Sequence, residues 1–105
     1  MFVLKFNDDL LGDIKSGRKN ATTRMGKRDI GLGRLGIVST SGNMESLMEV
    51  DVTSVTFKRF MHITDADAKQ ENFASATDLK LLLKTFYPYI EGEDVVTCVN
   101  WQPLA

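Results

Sequence analysis

Short β-prone segments that alternate with helix-prone segments constrain the fold of this chain more than any other feature. The segments with a strand pattern are residues 2–6, 20–24, 35–40, 47–57 and 95–101. The segments with helix start signals or helical spacing are residues 8–16, 64–72 and 75–87. This order predicts a small α+β domain in which short antiparallel strands form a partly closed barrel with helices at its side.

The clearest helix signal lies between a capping residue and a proline. Ser75 can cap a helix, and Pro88 ends it. Between them the apolar residues recur at i, i+3, i+4 and i+7, which are Leu79, Leu82, Leu83 and Phe86. This spacing predicts a helix whose apolar stripe faces a core.

Turn-forming residues mark the connections between the predicted strands. Four glycines lie between positions 26 and 36, and they predict a flexible basic loop over residues 25–34. The sequence Ser41-Gly42-Asn43 predicts a hairpin turn between two strands.

Length and residue content limit the class of protein. The chain has 105 residues, which is one domain's worth, and 43% of them are hydrophobic. The single cysteine, Cys98, and the single histidine, His62, exclude a disulfide framework, a structural zinc site and a histidine metal cluster. We therefore expect no metal or organic cofactor.

The sequence gives no sign of a membrane or a secretory route. No run approaches the roughly 20 apolar residues that cross a bilayer. The first residues lack the basic region that precedes the apolar part of a signal peptide. A lone thiol also fits a reducing compartment, so we expect a cytoplasmic protein that does not bind membranes.

Positive charge is concentrated in one segment of a nearly neutral chain. Residues 15–34 contain seven Lys or Arg and one Asp, a net charge of +6, whereas the whole chain has a net charge of −1. Clustered cations attract phosphates and other anionic ligands. A small-ligand pocket or a short stretch of RNA fits the size of this segment, and a solvated loop is the alternative.

Residues 17–24 place cations and hydroxyls together inside this basic segment. In an alternating strand, Thr22 and Arg24 face one side while Ala21 and Thr23 face the other. A threonine hydroxyl needs a neighbouring base before it can attack a carbonyl group.

Lys19 is the candidate for that base. A lysine crowded by Arg18 and Arg24, and partly removed from water, has a lowered pKa and can accept a proton. A solvated lysine and a threonine that serves only the strand are the alternative interpretation of these residues.

A second polar cluster follows the first of the two late helices. Gln70, Glu71 and Asn72 come at its end. Such groups can hold the hydrogen-bonding edge of a nucleobase, with Glu71 as an acid or a base. A solvated helix end is the alternative here.

Together these residues resemble a known family. The pattern Gly17-Arg18-Lys19-x-x-Thr22-x-Arg24 after an amphipathic helix, with Gln70-Glu71-Asn72 before a helix that ends in Tyr87-Pro88, is similar to the ASCH domain family. Within that family the chain most resembles the small bacterial N4-acetylcytidine amidohydrolases, over essentially its whole length. The resemblance implies a single ASCH domain, residues 1–105, with a PUA-like β-barrel.

The resemblance also implies an activity and the residues that carry it. Lys19, Thr22 and Glu71 match the family's catalytic lysine, threonine and glutamate, and the implied reaction converts N4-acetylcytidine to cytidine and acetate. Which of Lys19 and Glu71 is the base in each step stays open. Substrate contacts are expected from four further residues, Arg24, Arg18, Gln70 and Asn72.

One departure from the family pattern concerns the choice of ligand. ASCH domains usually carry Gly-Asp before the strand that follows the basic loop, where this chain has Gly33-Arg34 or Gly36-Ile37. The missing acid makes the loop more basic and favours anionic ligands. A modified nucleoside is the expected partner. RNA is a second one, for a PUA-like module that binds RNA or modified bases without chemistry, or for an ASCH-type ribonuclease.

Overall fold

The computed structural model describes residues 2–42 and 48–104. In chain order the elements are β1 (Phe2–Phe6), α1 (Asp8–Lys15), β2 (Ala21–Met25), β3 (Gly33–Ser39), β4 (Met48–Arg59), a 3₁₀ turn (Phe60–His62), α2 (Asp65–Gln70), α3 (Ala76–Phe86) and β5 (Val95–Pro103). The α+β class and the predicted order of strands and helices are confirmed. Asn43 of the predicted hairpin turn and position 47 of the predicted fourth strand lie outside the described residues.

The strands form one mixed sheet in the order β1-β3-β4-β5-β2, curled into a half-barrel. The pairs β3–β4, β4–β5 and β5–β2 are antiparallel, whereas β1 and β3 are parallel. The prediction of antiparallel strands is therefore wrong for β1. The chain passes through α1 and β2 between β1 and β3, which supplies the long crossover that a parallel pair requires.

β1 and β2 are the two edges of the sheet, and a side chain connects them. Arg24 Nη2 on β2 donates a hydrogen bond of 2.8 Å to the backbone carbonyl of Lys5 on β1. This contact takes the place of a backbone ladder at the open side of the half-barrel.

The two faces of β5 contribute to two hydrophobic cores. Val99 and Trp101 belong to the first core, inside the half-barrel, to which Phe6 and Ile14 also contribute. Val96 and Cys98, on the other face of β5, belong to the second core, which includes buried residues of α2 and α3. Alternation along the strand therefore divides the interior into two layers.

The predicted helix starts agree with the observed caps. The Thr64 hydroxyl accepts a hydrogen bond from the Asp67 backbone N–H, and the Asp67 carboxylate accepts one from the Thr64 backbone N–H. Ser75 caps α3 through the backbone N–H of Asp78. These caps satisfy amide groups that the first turn leaves without helical partners. No helix in the described part of the chain has the length and apolar character of a membrane span.

Candidate active site

A cavity of about 270 Å³ opens between the two edge strands and α3. The residues around it are Lys5, Phe6, Asn7, Leu10, Lys19, Thr22, Thr23, Arg24, Thr40, Glu71, Leu79, Leu82, Leu83, Phe86 and Tyr87. One wall is polar and charged, and the wall formed by α3 is apolar. This combination of an apolar wall with a few convergent polar groups is typical of small-molecule sites.

The turn between α1 and β2 directs Lys19 into this cavity. Gly17 has a φ of 82°, a left-handed conformation that glycine adopts without strain, and it ends the helix. The Lys19 backbone N–H then donates to the carbonyl of Asp13, and the Asn20 N–H donates to the carbonyl of Gln70 at 2.7 Å. The turn is therefore tied to α1 on one side and to the end of α2 on the other.

The ammonium group of Lys19 is buried and paired. Its residue is 3% exposed, and Nζ donates to Glu71 Oε1 at 3.1 Å and to the backbone carbonyl of Ala21 at 2.8 Å. Burial lowers the pKa of Lys19, the negative charge of Glu71 opposes that lowering, and the positive charge of Arg24 adds to it. The predicted influence of Arg24 is confirmed. The predicted influence of Arg18 is not seen, because that guanidinium pairs with Asp13 outside the cavity.

Glu71 reaches the cavity from the C-terminal end of α2. It is the C-cap residue, and Asn72 after it has a φ of 68°, so the chain turns away and leaves the Glu71 side chain directed inward. Both carboxylate oxygens have donors: Oε1 accepts from Lys19, and Oε2 accepts from Thr23 Oγ1 at 2.6 Å. A buried carboxylate with these partners is held in one orientation.

Thr22 and Thr23 approach the cavity from opposite faces of β2. Thr22 pairs in register with Val99 and Thr23 with Cys98, which places them in different layers of the interior. The Thr22 hydroxyl accepts a long hydrogen bond, 3.4 Å, from Arg24 Nε, as the predicted alternation requires. Because one side of β2 has no strand neighbour, side chains from both of its faces border the same cavity.

Thr23 contacts Glu71 directly but was not among the predicted site residues. Its alternation with Thr22 assigned it to the far side of the strand, away from the predicted catalytic group. The available signal was the pair of adjacent threonines at the start of a strand, but nothing in the sequence showed that this strand is an edge.

Arg24 completes the charged wall. Besides its contact with Lys5, its guanidinium lies 4.8 Å from the centre of the Phe6 ring, within the range of a cation–π interaction. Burial lowers the pKa of Arg24, and the positive charge of Arg28 contributes to the lowering. The planar guanidinium of Arg24 donates hydrogen bonds in fixed directions.

No protein-family model and no curated protein matches this sequence. Solved structures do match. An ASCH domain from Lactobacillus crispatus aligns over 96% of this chain and 79% of its own, with a TM-score of 0.79 and 11% identity. Protein EF3133 from Enterococcus faecalis, with the family model DUF984, aligns over 99% of this chain and 76% of its own, with a TM-score of 0.76 and 17% identity. An ASCH protein from Zymomonas mobilis aligns over 95% of this chain, with a TM-score of 0.69 and 14% identity.

The chain has the ASCH domain fold. The PUA-like α+β architecture expected from the sequence is thereby confirmed. The chain covers 65% of the Zymomonas mobilis protein, so that protein is longer than the shared fold.

Within the ASCH fold the three predicted catalytic residues lie around one cavity. Lys19 and Glu71 are in direct contact, and Thr22 borders the same space. Their chemical roles stay predictions.

Three of the four residues predicted to contact the substrate do not line the cavity. Arg24 borders the cavity, but Arg18, Gln70 and Asn72 do not. Arg18 is exposed and pairs with Asp13 at 3.1 Å, Gln70 contributes its backbone carbonyl to the turn that holds Lys19, and Asn72 supplies the left-handed residue after Glu71. Gln70 and Asn72 thus help to place their neighbours, and their exposed side chains make no contact with the cavity.

Cys98 lies behind the catalytic candidates. It is 6% exposed and belongs to the second core, and its Sγ lies 3.9 Å from Thr23 Oγ1. Burial raises the pKa of its thiol. Among the described residues, no three His, Cys, Asp or Glu side chains are grouped so as to hold a metal ion.

Proposed function

We propose that this ASCH-fold protein hydrolyses the amide bond of an N4-acylated cytosine nucleoside, with N4-acetylcytidine as the reference substrate. The observation that carries the proposal is the buried Lys19–Glu71 pair at the wall of a cavity that Thr22 also borders. Lowered lysine pKa values and paired buried carboxylates are typical of sites that transfer protons. The resemblance of residues 17–24 and 70–72 to the amidohydrolases supplies the substrate class.

In the first half of the reaction, Thr22 is the nucleophile. Lys19 in its neutral form takes the Thr22 proton while Oγ attacks the acyl carbon. Arg24 donates toward the oxygen that becomes negative in the tetrahedral intermediate. The C–N4 bond then breaks, and N4 receives a proton that passes from Lys19 through Glu71, so that cytidine leaves as a neutral amine.

In the second half, water hydrolyses the acyl ester on Thr22. The Lys19–Glu71 pair takes a proton from the water, and the new oxygen bond to the acyl carbon replaces the bond to Thr22. The pair returns this proton to the Thr22 oxygen, and acetic acid leaves and ionises to acetate in the solvent. One amide bond and one water molecule are consumed in each cycle.

The cavity suits a single nucleoside. Its volume, about 270 Å³, lies just below the range of about 300–1,000 Å³ that is typical of small-molecule sites. The apolar side chains of Leu82 and Phe86 on α3 offer a wall for a planar pyrimidine ring. The opposite wall carries Lys19 and Arg24, which suit the carbonyl oxygens of the ligand.

The decisive experiment follows acetate and cytidine by mass spectrometry after incubation with N4-acetylcytidine. The variants are Thr22→Val, Lys19→Met and Glu71→Gln, which keep side-chain volume. The matched control is Thr53→Val, at an exposed position of β4. Loss of hydrolysis in each of the three, with the control active and all four folded by circular dichroism, is the expected result. Full activity in Thr22→Val would remove the proposed nucleophile, and the absence of acetate release by the unaltered protein would refute the function.

Binding of RNA or of a modified base without chemistry is the second candidate function. The basic segment supports it. Two of its cations, Lys19 and Arg24, border the cavity. Two more, Lys27 and Arg28, lie on the loop that follows β2. Binding of a short RNA with a steep salt dependence, with neither acetate release nor strand cleavage, would favour the binding module. Cleavage of the RNA that depends on Lys19 would favour the ribonuclease.

A further inference from the structure

A second cavity of about 380 Å³ lies where the basic loop after β2 meets β4. Its lining residues are Lys27, Arg28, Asp29, Ile30, Val55 and Phe57. The amidohydrolase reaction described above uses none of them. Two cations, one carboxylate and an aromatic ring thus form a site that has no assigned role.

One row of residues across the sheet connects this cavity with the first one. Thr97 on β5 pairs in register with Arg24 on β2 and with Phe57 on β4. Arg24 borders the first cavity and Phe57 borders the second. Arg24 and Phe57 are two strands apart in this row. At about 4.8 Å per strand, their backbones are about 10 Å from each other, which is about the length of one nucleotide.

Hydrogen bonds to Thr97 hold the basic loop in place along this row. The Arg28 backbone N–H donates to Thr97 Oγ1 at 2.8 Å, and that hydroxyl donates to the carbonyl of Gly26 at 2.6 Å. The Arg28 side chain is oriented by a hydrogen bond from Nε to the Met25 carbonyl at 3.0 Å. Within residues 2–42 and 48–104, the terminal nitrogens of this guanidinium have no hydrogen-bond partner and can therefore donate to a ligand.

The two cations of this cavity, Lys27 and Arg28, differ from three arginines elsewhere on the surface in their ion pairing. Arg18, Arg34 and Arg59 each pair with a carboxylate. In the described part of the chain neither Lys27 nor Arg28 has such an ion pair, and Lys27 Nζ lies 5.5 Å from the centre of the Phe57 ring, which is 49% exposed. Cations without a carboxylate partner, one of them with a fixed fork, are suited to bind phosphate.

We propose that the second cavity binds a phosphate group attached to the nucleoside in the first cavity. The substrate is then a cytosine nucleotide, free or within an RNA strand, and it is bound more tightly than the corresponding nucleoside. This inference rests on the proposed function for the identity of the base, and on Lys27 and Arg28 for the phosphate. An anion between the two sites also reduces the electrostatic repulsion between the guanidinium groups of Arg24 and Arg28.

Binding of the reaction products tests the inference without requiring turnover. The dissociation constants of cytidine, cytidine 5′-monophosphate and a trinucleotide with a central cytidine are measured by calorimetry at low salt. The variants are Lys27→Ala and Arg28→Ala. Arg34→Ala is the matched control, because it also removes one exposed positive charge, but from an ion pair with Glu49.

We expect at least one phosphorylated ligand to bind about tenfold or more tightly than cytidine, and each cavity variant to reduce that ratio by about tenfold. Arg34→Ala should leave the ratio within about twofold. A preference confined to the trinucleotide identifies RNA as the source of the phosphate, and a preference already seen with the monophosphate identifies a free nucleotide.

Equal affinities for cytidine and both phosphorylated ligands would overturn the inference. An equal loss in Arg34→Ala would overturn it as well, because the effect would then come from net charge alone. Failure of the proposed function has a different signature: no acetate release from any acetylated substrate, whatever the binding ratios are.

Discussion

Thr23 Oγ1 donates a hydrogen bond of 2.6 Å to Oε2 of Glu71, from the face of β2 opposite to Thr22. Lys19 holds the other carboxylate oxygen, so the glutamate is fixed from two elements that are about 50 residues away from it in the sequence. The free edge of β2 makes this possible, because a strand with neighbours on both sides could not bring both of its faces to one cavity. Thr23 is thus a positioning residue for Glu71.

Thr23→Val should impair the site while keeping the strand. The change leaves Oε2 of a buried carboxylate without its donor, which costs about 1–3 kcal/mol in the free energy of unfolding. We expect a corresponding fall of about tenfold in kcat/KM for N4-acetylcytidine. Urea unfolding and steady-state kinetics measure the two effects.

Thr23→Ser is the matched control for that prediction. It retains the hydroxyl and should restore kcat/KM to within about threefold of the unaltered protein. If Thr23→Ser is as impaired as Thr23→Val, the methyl group and not the hydrogen bond is what matters, and the positioning role is lost.

The Lys19–Glu71 pair should show strong coupling in a double-mutant cycle. Both side chains are about 95% buried, so removing one partner leaves an uncompensated charge, at a cost of about 3–5 kcal/mol. Lys19→Met and Glu71→Gln should each destabilise the protein, and the double variant should be less destabilised than the sum of the two. The measurement is the free energy of unfolding in urea, and additive effects would contradict the pairing.

The sequence predicted much of this site because local rules decide it. Alternation placed Thr22 beside Arg24, and the capping residues Thr64 and Ser75 marked the starts of α2 and α3. The lowered pKa of Lys19 follows from burial, with a smaller lowering from the positive charge of Arg24 and an opposing effect of Glu71.

What the sequence could not predict depends on tertiary contacts. The parallel pairing of β1 with β3 and the edge position of β2 are properties of the whole sheet, and the role of Thr23 follows from them. Gln70 and Asn72 flank Glu71 in the sequence, but the end of α2 and the left-handed Asn72 direct the neighbouring side chains elsewhere. Adjacency in a motif does not fix the direction of a side chain.

Arg24→Lys should weaken the open side of the half-barrel. A lysine keeps the charge but lacks the fork that reaches both the Lys5 carbonyl and the Thr22 hydroxyl. We expect a loss of about 1–2 kcal/mol in unfolding free energy and a lower kcat/KM. Arg59→Lys is the control, since Arg59 is exposed and pairs only at the surface with Glu93, and it should change stability by less than about 0.5 kcal/mol. Equal stability of the two variants would show that Arg24 does not connect the edges.

The free energy of unfolding and kcat/KM should both depend on pH through the titration of Lys19. Its pKa in the folded state is lowered from 10.5, chiefly by burial, so between the folded and unfolded pKa values the unfolded chain binds more protons than the folded one. The contribution of Lys19 to stability therefore rises with pH across that interval and levels off above 10.5. Over the lower part of the interval kcat/KM should rise in parallel, because the neutral amine is the active form.

Subtracting the urea-unfolding profile of Lys19→Met from that of the unaltered protein isolates this contribution from other groups such as Cys98. A difference profile that is flat, or that falls between neutral pH and 10.5, would mean that Lys19 titrates as an ordinary paired cation, and it could not then serve as the base for Thr22.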